Sequence, residues 1–149
     1  AGCAMLKPAD TNYRTASSTK SGDVRTEIVQ TARSYLGSPY RFGGTNSRGF
    51  DCSGLVFTVY ATHGISLPRK AVDQARFGRK RVQEEARRGD LAVFSVKGKV
   101  NHVGIVTRAS REELWVVHST TSRGVIHEDV LQSSYCSRRL RGIRDALVR

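Results

Sequence analysis

Cys52 stands in the segment Gly49-Phe50-Asp51-Cys52-Ser53-Gly54-Leu55-Val56, where Leu55, Val56, Val59 and Tyr60 recur at helical spacing and Asp51 is placed at or next to an N-cap. A cysteine in the first turn of a helix feels unpaired backbone N–H groups and the positive end of the dipole, which favour the thiolate. Taken alone, it reads more simply as a small buried hydrophobe. A thiol nucleophile also needs a base to take its proton and return it to the leaving amine, and the base needs a polar partner to fix its tautomer. His102, in Asn-His-Val-Gly-Ile-Val at 101–106, and His118, in Trp-Val-Val-His-Ser-Thr at 115–120, can fill those two roles if their segments are neighbouring antiparallel strands. A helix-start cysteine followed by two such strands is a rarer coincidence than any of the three residues alone.

The other chemistry-bearing residues carry less. His63 and His127 read as surface residues at the ends of a helix and a strand, and four dispersed histidines without ligand spacing argue against zinc, so no metal or cofactor is expected. Gly43-Gly44 lacks the lysine and hydroxyl of a phosphate loop. Cys136 reads as inert, because neither a histidine nor a helix start accompanies it in the sequence. Three cysteines cannot all pair within one molecule. Cys3 follows Ala1-Gly2, as the acylated cysteine does at the cleavage end of a bacterial lipoprotein signal. It reads equally well as a thiol without a role.

These residues need a scaffold. Residues 1 to about 22 are rich in Ser, Thr, Ala and Lys and read as a flexible arm, a tether if Cys3 is lipidated; residues 23–149 read as the catalytic domain. A first helix is expected from Asp23, which can cap it, with Val24, Ile28, Ala32, Tyr35 and Leu36 on one face and Gly37 and Pro39 beyond its end. The second runs from Cys52 to Gly64, a short third lies within Lys70 to Phe77, and Arg79 to Arg88 reads as surface. Short β-branched or aromatic runs then follow at Leu91–Val96, His102–Thr107, Leu114–Ser119, Gly124–His127 and Leu140–Ile143. Helices first and strands later predict an α+β domain with an antiparallel sheet.

At 149 residues the chain is the size of one domain, and 38% hydrophobic residues exclude wholesale disorder. No apolar run approaches the roughly 18 residues of a membrane-spanning helix. The formal charge of +12, from 25 Lys and Arg against 13 Asp and Glu, favours anionic partners. Nucleic acid is not expected, since zinc-finger spacing and an aromatic RNA-stacking signature are both missing.

The motifs taken together resemble the NlpC-type cell-wall peptidases, a papain-like family of bacterial cysteine hydrolases. The resemblance spans about Asp23 to Ile143. It rests on Tyr-Arg-Phe-Gly-Gly at 40–44, Asp-Cys-Ser-Gly at 51–54, Leu-Pro-Arg at 67–69 followed by Gln74, Gly-Asp-Leu at 89–91, Asn-His-Val-Gly-Ile and Val-His-Ser-Thr. It implies a papain-like fold with the nucleophile Cys52 at a helix start, His102 as base, His118 as the third polar residue and Tyr40 lining the site. Asp51, Ser53 and Arg69 become candidate substrate contacts. The implied substrate is the peptide stem of peptidoglycan, cut after γ-linked D-glutamate or at a D,D cross-link, and the implied location is the cell envelope, periplasmic and membrane-anchored if Cys3 is acylated. Lys70 and Ala71 depart from the small hydroxyl residues usual after Leu-Pro-Arg, which bears on fine specificity. A papain-like thiol hydrolase or acyltransferase acting on another amide or a lipid ester is the alternative, and Cys52 preceding His102 disfavours the circularly permuted, lipid-directed relatives.

Overall fold

Helix α2 (Cys52–Thr62) forms where the sequence predicts it. Asp51 caps it with extended backbone, and its carboxylate accepts the Gly54 N–H. Leu55, Val56, Val59 and Tyr60 are fully buried along one side, and the helix ends at His63 and the left-handed Gly64 (φ 77°). The computed structural model describes residues 20–148, so Cys3 lies outside the described residues. Around α2 the chain adds helix α1 (Lys20–Ser34), the small ribbon β1 (Thr45–Asn46) and β2 (Gly49–Phe50), the short α3 (Ala71–Gln74) and an edge strand β3 (Arg79–Arg81). Then come β4 (Leu91–Val96), β5 (Lys99–Ala109), β6 (Leu114–Thr120), β7 (Gly124–Asp129), the six-residue α4 (Ser134–Arg139) and β8 (Leu140–Asp145).

The six longer-range strands form one antiparallel sheet in the order β3-β8-β4-β5-β6-β7. The fold is therefore α+β, helices on an antiparallel sheet. Leu91, Val93, Val103, Ile105 and Val117 share one buried cluster with Ile28, Leu55, Val59 and Tyr60 of the helices. Ala92, Phe94, Val106 and Val116 point the other way and cluster with Val130 and Cys136. With both faces covered, β4 reads as a continuous apolar run rather than an alternating one. Each fully buried Val or Leu contributes roughly 1.5–3 kcal/mol.

Some expectations shift. Helix α1 begins at Lys20, so Asp23 lies inside it and is not its cap. The chain leaves that helix after Ser34, and Leu36, expected on its buried face, is 42% exposed. The third helix shrinks to four residues. Arg79–Arg81, expected to be surface only, is the edge strand paired with β8.

The inward turn of Arg81 belongs to a buried charge cluster that no local pattern announces. Arg25 of α1, 2% exposed, donates through Nη1 to Asp90 Oδ1 (2.9 Å) and the Arg88 carbonyl (2.9 Å), and through Nη2 to Asp145 Oδ2 (2.7 Å). Arg81 pairs with the same two fully buried carboxylates. The cluster joins α1, β3, the entry to β4 and the end of β8. Removing one partner of a buried pair strands charge in a low-dielectric interior. Arg25→Met, which keeps most of the aliphatic stem, is therefore expected to lower the unfolding free energy by about 3–5 kcal/mol in urea titrations; a loss below about 1 kcal/mol would show that Arg81 alone satisfies both carboxylates.

Candidate active site

The start of α2 is held from several directions. Asp51 accepts the Gly54 N–H at Oδ1 (2.7 Å) and the Gly43 N–H at Oδ2 (2.8 Å), where Arg69 Nη2 also donates (3.1 Å). Arg69 Nη1 donates to Ser53 Oγ (2.9 Å), and Gln74 Nε2 donates to the Ser53 carbonyl (3.1 Å). Burial works to raise the Asp51 carboxyl, but Arg69 and the two N–H donors hold it below its ordinary value. The loop carrying Gly43-Gly44 packs so closely that a Cβ on Gly54 would lie 2.1 Å from the Gly44 carbonyl oxygen. Gly54 is thus required by the close approach of the Gly44 backbone, and Gly44 in turn by the Gly49 carbonyl oxygen, 2.1 Å from where its own Cβ would lie.

Cys52 opens α2 beside β5, its Sγ 3.9 Å from the Asn101 carbonyl oxygen, with the Val103 N–H directed at the sulfur. His102 Nε2 lies 2.7 Å from His118 Nδ1, and His118 Nε2 lies 2.8 Å from Glu128 Oε2. Phe94, opposite His102 in the β4–β5 register, packs its ring 5.4 Å from that of His102 and 6.3 Å from that of His118. His102, His118 and Glu128 therefore run diagonally across three neighbouring strands on one face of the sheet. Gly104 allows this. A Cβ there would come within 2.5 Å of Val116 Cγ1 and 2.8 Å of His118 Cβ.

Cys52, His102, His118 and Tyr40 line one cavity of ≈ 450 Å³, together with Arg123, Glu128, Cys136 and Arg139. Of the other three candidate contacts, Asp51, Ser53 and Arg69 bond to one another behind the helix start and are not among its lining residues. His63 and His127 are half-buried, not free surface residues: each bonds a threonine, Thr31 and Thr107, at 2.8 Å. Cys136, expected to lack a helix start and a neighbouring histidine, has both. It sits in the first turn of α4, capped by Ser133, and its Sγ lies 3.8 Å from Glu128 Oε2. With His118 it forms a group whose potential ligand atoms all lie within 4.8 Å, although no ligand spacing was visible along the chain. Sequence reasoning missed Glu128, Arg123 and Arg139. Glu128 lies one residue past the expected end of its strand, and its approach to His118 depends on the β6–β7 register.

Residues 37–145 match the NlpC/P60 family. The chain belongs to this family. It is 40% identical over 82 residues to a γ-D-glutamyl-L-lysine dipeptidyl-peptidase of Bacillus subtilis, covering 53% of this chain and 28% of that protein. It is 36% identical over 134 residues to a bifunctional muramidase/DL-endopeptidase of the same organism, covering 87% of this chain and 38% of that protein. The chain thus spans well under half the length of either relative. A crystal structure of an NlpC/P60 family protein from Bacillus cereus superposes with a TM-score of 0.73 at 32% identity, over 83% of this chain and 40% of that one.

The electrostatics correct one expectation within this NlpC/P60 domain. Desolvation, with His118 beside it, pushes His102 down to about 3, so its ring is neutral. Burial pushes the Cys52 thiol up, and nearby Asp51 adds to the rise, outweighing the N–H groups of Val103, Ser53 and Cys52 that favour the thiolate. The resting pair is a thiol and a neutral imidazole, not a preformed ion pair. A raised pKa leaves less thiolate at any given pH, so iodoacetamide should label Cys52 slowly at pH 6 and increasingly fast as pH rises toward and past the ordinary thiol range, followed by peptide mapping; fast labelling at pH 6 would refute the neutral-pair reading. Gly104→Ala should lower the unfolding free energy by about 1–3 kcal/mol in urea titrations, since Val116 and His118 are both buried and have nowhere to retreat.

Proposed function

We propose that this domain is a cysteine endopeptidase acting on the peptide stems of bacterial peptidoglycan, with Cys52 as nucleophile, His102 as base and His118 orienting it. The observation that carries the reading is the 2.7 Å contact between two histidine rings opening on the same cavity as a helix-start cysteine. Glu128 gives the pair a direction. A carboxylate only accepts, so a neutral His118 places its hydrogen on Nε2, leaving Nδ1 to accept from His102 Nε2–H. His102 Nδ1 then keeps its lone pair for the Cys52 proton.

Attack of sulfur on the scissile carbonyl passes that proton to His102, which returns it to the leaving amine; water then cleaves the thioester. First-turn N–H groups of α2 are suited to stabilise the oxyanion. Arg123 and Arg139 in the cavity lining suit a substrate bearing carboxylates, and Arg139 is seated over the Tyr135 ring at 3.7 Å. Relatives named as a γ-D-glutamyl-L-lysine dipeptidyl-peptidase and a DL-endopeptidase support the bond after γ-linked D-glutamate, and a relative named as a murein DD-endopeptidase makes a D,D cross-link the alternative. Tyr40, in the lining, contacts the substrate, whereas Asp51, Ser53 and Arg69 serve it by fixing the helix start.

Mass analysis of purified peptidoglycan after digestion tests class and bond together: fragments ending in γ-D-glutamate are expected. Cys52→Ala should abolish turnover, His102→Ala should lower kcat by about 10³–10⁴-fold and His118→Ala by less, about 10–100-fold. Undiminished turnover in the Cys52→Ala protein would refute the mechanism, and equal tolerance of the two histidine changes would refute the division of roles.

A further inference from the structure

We propose that His118, Glu128 and Cys136 form a zinc-binding site that switches the neighbouring base off. The inference rests on the peptidase reading for its consequence, although not for the binding itself. The three residues come from β6, β7 and α4, and each offers a ligand atom within 4.8 Å of the others: a His118 ring nitrogen, a Glu128 carboxylate oxygen and Cys136 Sγ; Nε2 is the nitrogen that faces Glu128. One nitrogen, one oxygen and one sulfur with an open fourth position toward a cavity is a donor set that suits Zn²⁺ and does not suit Mg²⁺ or Ca²⁺.

The distances need only small adjustment. Tetrahedral zinc with ordinary bond lengths separates its ligand atoms by about 3.3–3.7 Å. His118 Nε2 and Glu128 Oε2 are 2.8 Å apart and would part slightly, while Cys136 Sγ, 3.8 Å from the same oxygen, lies at the right range. Arg123 Nη2, 3.5 Å from Glu128 Oε2, is the opposing charge, and its side chain is exposed enough to swing away. Binding deprotonates Cys136, the proton leaving to solvent, so that one thiolate and one carboxylate neutralise the metal. Cys136 takes no part in the proposed hydrolysis, which makes its place beside Glu128 otherwise unexplained.

The consequence follows from the ring tautomers. A metal on His118 Nε2 displaces the hydrogen held there by Glu128, and the neutral ring then carries its hydrogen on Nδ1. His118 now donates to His102 Nε2 across the 2.7 Å contact. His102 must carry its own hydrogen on Nδ1, the nitrogen that takes the thiol proton. The proton inventory of the two rings is unchanged, yet the base is blocked without any contact between metal and Cys52.

The test separates binding from inhibition. Cys52→Ala protein, which lacks the catalytic thiol as a competing ligand, is titrated with zinc and, separately, with cobalt. One metal per chain is expected, with thiolate-to-cobalt charge-transfer absorption in the near ultraviolet. Adding Cys136→Ser should abolish that absorption and weaken zinc by at least about 100-fold, beyond the loss typical of an outer partner. In the otherwise native chain, zinc should inhibit hydrolysis reversibly with chelator, and Cys136→Ser should retain turnover while requiring at least about 100-fold more zinc. No stoichiometric binding to Cys52→Ala protein, or equal zinc sensitivity with and without Cys136, would overturn the proposal. A native chain that hydrolyses no peptidoglycan would instead overturn the peptidase reading, with the titrations still deciding the site.

Discussion

His118 reaches His102 only because Gly104, two residues along β5 from His102 and packed against His118, has no side chain. Antiparallel pairing puts residues of like parity on one face, but it spaces diagonal neighbours too far apart for short side chains to meet. Here two imidazoles and a carboxylate must touch in sequence across three strands, and a Cβ at position 104 would occupy the space into which the His118 side chain leans. Phe94 packs against the two rings from β4. The neutral state of His102 is a consequence of this packing as much as of its chemistry.

Two further sets of interactions hold Cys52 against that array. Asp51 caps α2 and at the same time gathers the Gly43 loop and Arg69, so the position of Cys52 is tied to segments on both sides of it in sequence. Ser119, the neighbour of His118, donates to the Phe50 carbonyl (2.8 Å), fastening the strand that carries His118 to the segment that leads into Cys52. Farther away, Arg25 and Arg81 with Asp90 and Asp145 lock the first helix to the start of β4 and the end of β8. Buried charge of this kind adds little net stability over an apolar packing but penalises any arrangement that leaves a member unpaired.

In the proposed hydrolysis, the neutral thiol of Cys52 and the neutral imidazole of His102 place the burden of activation on the moment of attack. Burial deep enough to suppress both charges also strengthens the charge interactions that develop during reaction, so a resting ion pair is not required. The same desolvation makes the hydrogen-bond chain from Glu128 to His102 a device with two polarities, and the ligand on the outer nitrogen of His118 selects between them.

Local patterns determined a good deal of this protein. The helical spacing after Cys52, the capping carboxylate of Asp51, the turn glycines and the runs of β-branched residues are properties of a few consecutive residues, and they set the order of elements and the α+β class and singled out Cys52, His102 and His118 as candidates. What folding decided is what depends on register and on contact between distant segments. The strand made by Arg79–Arg81, the burial of Arg25, the approach of Glu128 and Cys136 to His118 and the raised thiol of Cys52 each require knowing which strands are neighbours and by how many residues they are offset. A one-residue slip of β6 or β7 would move His118 or Glu128 to the opposite face of the sheet. Pairing of this kind is a free-energy minimum of the whole chain, and no window of sequence short enough to be read by its periodicity contains it.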